Sequence, residues 1–137
     1  MTILNGMGRF EVIDMLQEAE HTKTMDEIRE RIKSDEINKT VNVEKQNRHI
    51  RDTHEYVEGR SYLFDCVDAQ EIVNRYHGTG HTPISKSGWG YKEIVVTNDY
   101  IGVDIDRNTG RETITNRITI HYSNTGAHIV PAKPTRR

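Results

Sequence analysis

The stretch Glu112-Thr-Ile-Thr-Asn-Arg-Ile-Thr-Ile-His-Tyr122 alternates apolar and polar residues. Ile114, Ile118, Ile120 and Tyr122 fall on one side, and Thr115, Arg117, Thr119 and His121 on the other, with Ser123 next in line. A period of two belongs to a half-buried β-strand, whose side chains point in turn to the two faces of a sheet. The apolar side is expected to pack on a core. The opposite side then presents arginine, threonine, histidine and serine in a row.

Three more segments around this strand read as β: 92–97 (KEIVVT), 100–105 (YIGVDI, with Ile101, Val103 and Ile105 inward) and 127–130 (AHIV). Between them lie Asn98-Asp99, Asp106-Arg-Asn-Thr-Gly110 and Asn124-Thr-Gly126, all of hairpin length and rich in turn formers. The predicted sheet is a four-stranded antiparallel meander. Its last hairpin brings His121 and His128 onto adjacent strands, while Lys92 and Glu93 open the first one.

Upstream the period changes to that of helices. Residues 8–20 carry Phe10, Ile13 and Leu16 three apart, and residues 25–34 carry the stripe Met25, Ile28, Ile32 behind a capping box of Thr24 and Glu27. Residues 43–52 form a third predicted helix. Residues 69–77 form a fourth, with Asp68 as N-cap and Gly78 and Gly80 as its stop. Helices grouped before an antiparallel sheet define an α+β class.

Charge divides the chain at about residue 40. Residues 1–40 hold six Lys/Arg against nine Asp/Glu, and residues 41–137 hold thirteen against twelve. Residues 1–40 are therefore expected to be a helical appendage (a linker, a docking segment or the remnant of a parent protein), and 41–137 the functional domain. From Asp106 onward, Arg107, Arg111, Arg117, Lys133, Arg136 and Arg137 outnumber two acids, which permits a polyanionic partner. Only 34% of residues are hydrophobic and 29% are charged, so the core is thin and much of the chain is surface or site. No apolar run reaches the length of a membrane span, and residues 1–10 lack the pattern of a signal peptide. With Cys66 as the one cysteine, an intramolecular disulfide and a cysteine-rich zinc site are both excluded.

Histidine, lysine, arginine and serine converging without an acidic cluster suit RNA cleavage. RNA carries its own nucleophile, the 2′-OH. The protein has to take that proton, stabilise the charged phosphate and protonate the leaving 5′-oxygen. Imidazoles can act as base and acid near neutral pH, and Arg or Lys can hold the phosphate. Neither a metal nor an organic cofactor is called for by this chemistry. Other signals are weaker. His77 and His81 are separated by glycines and share no helical face. Cys66, between Phe64 and Val67, is expected in the core. Gly78-Thr-Gly80 lacks the rest of a phosphate loop. Trp89, flanked by glycines, is either a base-stacking residue or a lid on the core.

Three strings together, Lys45-Gln-Asn-Arg-His-Ile50, Gly59-Arg-Ser-Tyr62 and Ile120-His-Tyr-Ser-Asn-Thr-Gly-Ala-His-Ile-Val-Pro131, resemble the polymorphic toxin type 50 domain of bacteria and their phages. The resemblance covers roughly residues 41–134. It implies a ribonuclease of the barnase–EndoU–colicin–RelE group, with helices followed by a four-stranded antiparallel sheet. It also implies a toxin carried at the C-terminal end of a larger secreted or phage protein, an RNA substrate such as tRNA, a cognate immunity protein and action in the bacterial cytoplasm. The matched polar positions are His49, Arg60, Ser61, His121, Ser123 and His128, with Lys92 and Glu93 matching more loosely. In the roles so implied, His121 and His49 share acid and base, with His128 as the alternative to His49. Arg60 and Lys92 hold the phosphate and Ser123 hydrogen-bonds it. Ser61, Glu93, Arg117, Thr119 and Thr125 are the expected substrate contacts. Two other classes compete: a non-catalytic protein-binding module, and a toxin with nucleotide-transfer chemistry.

Overall fold

The alternation in residues 112–122 breaks at Asn116. In the computed structural model of the protein, which describes residues 9–134, this stretch is two strands, β6 (Glu112–Thr115) and β7 (Arg117–Ser123), in different sheets. Thr115 is fully buried and Ile114 is 57% exposed, the reverse of the expected phase. Beyond Asn116, Ile118, Ile120 and Tyr122 are buried as expected. One residue out of step at Asn116 moves every side chain before it to the other face. The buried Thr115 hydroxyl stays satisfied: it donates to the Ala132 carbonyl at 2.7 Å and accepts from the Arg117 N–H at 3.0 Å.

The four-stranded meander is replaced by a long bent hairpin and a third strand. β4 (Lys92–Val96) does not turn back onto β5 (Gly102–Ile105); it pairs with β7, and β5 pairs with β6. The two ladders are successive parts of one hairpin whose tip is the Asp106–Gly110 turn. Residues 97–101 bulge out of it opposite Asn116 and bend it into two sheets. Asn98-Asp99 lies in that bulge and is not a hairpin turn. Thr97 pins the bulge by donating its N–H to the Asn116 carbonyl at 2.7 Å. The last strand, β8 (Gly126–Ala132), pairs with β7 from Arg117↔Ala132 to Ser123↔Gly126. Short β1 (Tyr62–Leu63) completes the β1-β5-β6 sheet, and β2 (Ile84–Ser85) pairs with β3 (Gly88–Trp89).

The class is α+β, with antiparallel sheets and three helices among the described residues. The two expected N-terminal helices are one helix, α1 (Arg9–Lys33). Thr24 caps nothing there; its hydroxyl turns back to the Glu20 carbonyl at 3.0 Å, the i−4 bond a threonine makes inside a helix. Only the second half of α1 enters the core, through Met25, Ile28 and Ile32, whereas Ile13 and Leu16 are exposed. The side chain of Phe10, and Arg136 and Arg137 of the basic tail, lie outside the described residues.

α2 (Val43–Asn47) is shorter than expected. Asn42 caps its start, and the Thr53 hydroxyl ends it by donating to the Asn47 and Ile50 carbonyls. α3 (Ala69–Tyr76) has the expected cap, the Asp68 carboxylate accepting from the Gln70 and Glu71 N–H groups. The core lies between the inner face of β4-β7-β8 (Val95, Ile118, Ile120, Ile129) and helices α1 and α3 (Ile28, Ile32, Val73). Cys66 is exposed and not a core residue, because the turn that carries it precedes α3 rather than packing beneath it.

Candidate functional site

Cross-strand register assembles the site. Lys92 of β4 lies opposite His121 of β7, and His121 lies opposite His128 of β8. These three side chains therefore form a row across the sheet face that points away from the core. The His121 and His128 rings are stacked, with centroids 4.8 Å apart and planes 11° apart. His49 extends the row on the far side of His128, with centroids 6.2 Å apart and planes 12° apart. His128 thus stands between the other two rings.

A side chain that is not itself chemical places His49. β8 is an edge strand at Ile129, and Gln46 of α2 closes that edge. Its amide donates to the Ile129 carbonyl at 2.9 Å and accepts from the Ile129 N–H at 2.7 Å, and the residue is only 2% exposed. Residues 40–42 continue the closure, since Ala127 exchanges backbone bonds with Thr40 and Asn42. Gly126 is required here: its φ is +122°, and a Cβ would run into the Thr40 carbonyl. One turn beyond Gln46, His49 arrives beside His128. It is buried, and its Nδ1 lies 2.8 Å from the Ser61 carbonyl. A carbonyl can only accept, so the neutral ring carries its proton on Nδ1 and leaves Nε2 bare.

The surrounding charges have one sign. Burial lowers the proton affinity of His49, and Arg60, Arg48 and Arg107 lower it further against the raising effect of the Ser61 carbonyl. Burial and Lys92 lower His121. Burial, the two neighbouring histidines, Lys45 and Arg48 bring His128 down to about 4. Among the described residues, Arg48, Arg60, Lys92 and Arg107 form no ion pair. Three neutral imidazoles therefore sit among cations that form no ion pair of their own. An anion arriving there would be attracted by the cations and would raise the proton affinity of the rings.

A depressed histidine pKa is also a statement about stability. Below about pH 6.5 the unfolded chain takes up protons that folded His128 refuses, so the native state loses stability as pH falls from about 6.5 towards 4. Urea midpoints at pH 7 and pH 4.5 are expected to show this loss in the wild type. The loss should be smaller in His128→Gln, which has no ring to protonate; an equal loss in both would contradict the assigned burial.

The remaining candidates divide. Ser123 lies on the same face as His121, two residues or ~7 Å along the strand. Its hydroxyl is within reach of Lys45 Nζ (3.3 Å) and of the Thr125 hydroxyl (3.1 Å), which Lys45 also contacts at 3.1 Å. Thr119 shares this face two residues from His121, on the side away from Ser123. Arg117 is four residues, or ~13 Å, from His121, and its guanidinium donates to the Lys133 carbonyl at 3.3 Å, so it lies outside the row. The Ser61 hydroxyl binds Ile105 N–H and Asp104; the residue serves the site through its carbonyl.

Glu93 is not a surface contact. It faces the core opposite Ile120 and is fully buried. Its carboxylate accepts from Gly78 N–H (3.0 Å), Gly80 N–H (2.7 Å) and the Tyr122 hydroxyl (2.7 Å). Burial and the adjacent carboxylate push the Tyr122 phenol well above its usual range, so it remains a donor. Lys45, Gln46 and Arg48 were missed as site residues, although all three stand in the string around His49; the helical spacing of three between the cations Lys45 and Arg48 was the available signal for those two, and Gln46 carried none.

The family model for bacterial toxin 50, Ntox50, matches residues 41–131. The chain belongs to the bacterial toxin 50 family. The match starts at Val41, which bridges to Ala127 beside the β8 edge, and it contains the whole row from His49 to His128. The matched segment starts after α1, although Ile28 and Ile32 of α1 belong to the same core. No curated relative matches the sequence. Among the described residues, no helix is long and apolar enough to cross a membrane.

Proposed function

We propose that this toxin domain is an endoribonuclease that cuts RNA by acid–base catalysis through a 2′,3′-cyclic phosphate. The observation that carries this reading is the row Lys92, His121 and His128 across the outer sheet face, continued by the buried His49 and set among cations. An imidazole takes the 2′-OH proton, and the 2′-oxygen attacks phosphorus. The bond from phosphorus to the 5′-oxygen breaks as a second, protonated imidazole gives its proton to that oxygen. Neighbouring rings suit the two sides of one phosphate. His121 and His128 are assigned as that pair, with His49 holding His128 from behind. This is the alternative of the two assignments that the sequence left open, chosen because His128 stands between the other two rings.

Lys92 and Arg60 hold the phosphate and its developing charge. Ser123, beside Lys45, gives it a hydrogen bond, and Thr119 and Thr125 are contacts for the flanking nucleotides. The depressed pKa values supply a neutral base at pH 7. The phosphate itself loads the acid, by raising the histidine it approaches. Such a reaction belongs to the barnase–EndoU–colicin–RelE kind, and the order of helices before antiparallel sheet supports that comparison in outline. The same reading has the toxin reach the bacterial cytoplasm as the C-terminal end of a larger secreted or phage protein, with a cognate immunity protein shielding the producer.

The test is digestion of total bacterial RNA by the purified protein in EDTA. Discrete fragments are expected, with cleavage suppressed steeply by added salt because the substrate is held by phosphate contacts. RNA left intact by folded protein would remove the nuclease reading in favour of a protein-binding module.

A further inference from the structure

On the other side of the β7–β8 tip from the histidines lies a groove of about 690 Å³. Its lining includes Arg31, Asn38, Asn74, Tyr91, Ser123 and Asn124. We propose that this groove is a nucleobase subsite, in which a base next to the cut phosphate stacks on Tyr91; the proposal rests on the ribonuclease reading.

Tyr91 is the first ground. It is 45% exposed, although it is a large aromatic residue. Its backbone has φ +59°, the one left-handed non-glycine residue among those described. For a bulky residue that conformation is costly and points to use elsewhere. The Tyr91 ring is backed by Trp89, with centroids 4.6 Å apart, and Arg31 lies 5.8 Å over Trp89. The Trp89 indole is fixed by its N–H to the Lys92 carbonyl at 2.8 Å. A rigid aromatic platform is thus attached to the strand that carries the cation of the row.

Continuity with the row is the second ground. Ser123 lines the groove and also stands on the face of His121, ~7 Å away along the strand, about the reach of one nucleotide. Lys92 follows Tyr91 directly. A strand whose phosphate lies over Lys92 and His121 can pass Ser123 and turn its next base into the groove. The polar lining suits a base edge rather than a second phosphate. Asn124 and the Asn74 NH₂ offer amide groups, Asn38 being held by Thr40 N–H and the Asn124 carbonyl and the Asn74 oxygen by Gln70, whereas Asp35 and Glu36 would repel an anion, Glu36 being paired with Arg31 at 2.7 Å. Aromatic side chains on which bases stack, beside cations that follow the backbone, are how single-stranded nucleic acid is commonly held.

Trp89 is the only tryptophan in the chain, so its fluorescence reports this subsite without a label. The probe is a 2′-deoxy tetranucleotide, which lacks the nucleophile and cannot be cut. Wild-type protein is expected to show saturable quenching. Tyr91→Leu keeps the backbone constraint and removes the ring; its binding should weaken about tenfold or more. Tyr91→Phe should restore it. Absence of quenching in folded wild type, or equal binding by Tyr91→Leu, would overturn the subsite. RNA digestion is scored separately. Fragments without quenching would leave the ribonuclease and remove the subsite, and quenching without fragments would remove the ribonuclease and, with it, the subsite's place beside a cut phosphate.

Discussion

Replacing His121 with alanine is expected to lower kcat/KM on RNA by about 10²–10⁴-fold, the range lost with a general acid or base. His121 belongs to both assignments of the acid–base pair, and it is the ring that pairs with Lys92. The same change should shift the melting temperature by no more than a few degrees. The His121 side chain stands on the outer sheet face, only partly buried, and its loss opens no core cavity; the core contacts of β7 are made by Ile118, Ile120 and Tyr122. Parallel rate and thermal-melting measurements separate the two quantities. Equal rates for variant and wild type, with melting unchanged, would mean that the histidine row is not the reaction centre.

Glu93→Gln is expected to do the opposite, costing stability first. The wild-type carboxylate receives two backbone N–H groups and a phenol inside the core. A glutamine amide has only one acceptor oxygen, and its NH₂ would face a donor. At least one buried donor is then left unpaired, and a charged acceptor is lost as well. Each such loss costs about 1–3 kcal/mol. The sum should reach about 3 kcal/mol or more and lower the melting temperature by roughly 10 °C. At temperatures where the variant remains folded, its KM for RNA should stay within a factor of about two or three, because Glu93 lies on the face opposite the row. A large rise in KM with unchanged melting would instead make Glu93 the substrate contact that its position next to Lys92 first suggests.

Glu93 also illustrates what the sequence could convey. Once β4 is extended, alternation puts Lys92 and Glu93 on opposite faces. A charged residue is nonetheless the last to be assigned to a core, unless its partners are known. Those partners, the N–H groups of Gly78 and Gly80 and the Tyr122 hydroxyl, come from a turn 13–15 residues upstream and a strand 29 residues downstream. The β7–β8 hairpin was legible because the period-two pattern of 117–122, the Asn-Thr-Gly turn and the following apolar segment agree with one another. The Lys92–His121 pairing was not, since the turn-forming Asn98-Asp99 suggests a local hairpin where the chain actually bulges. Local composition cannot distinguish a turn from a bulge; long-range pairing does that.

His49 was found from the string around it, and its neighbour Gln46 explains its place. A glutamine at the end of a short helix carries no visible signal that it closes the edge of a strand 83 residues away. The same limit applies to α1. Thr24 and Glu27 have the spacing of a capping box, yet the helix continues through them because the packing of Met25, Ile28 and Ile32 extends the same helix that begins at Arg9.

The most direct measurement is the chemistry of the ends produced when the purified toxin domain, in EDTA, cuts an oligoribonucleotide, identified by mass spectrometry. Fragments ending in 2′,3′-cyclic phosphate, each partnered by a 5′-hydroxyl and lost when the ribose at the cleaved position is 2′-deoxy, are the expected result. Fragments carrying 5′-phosphate, or cleavage that persists at the 2′-deoxy position, would contradict attack by the 2′-OH and with it the acid–base role assigned to His121 and His128.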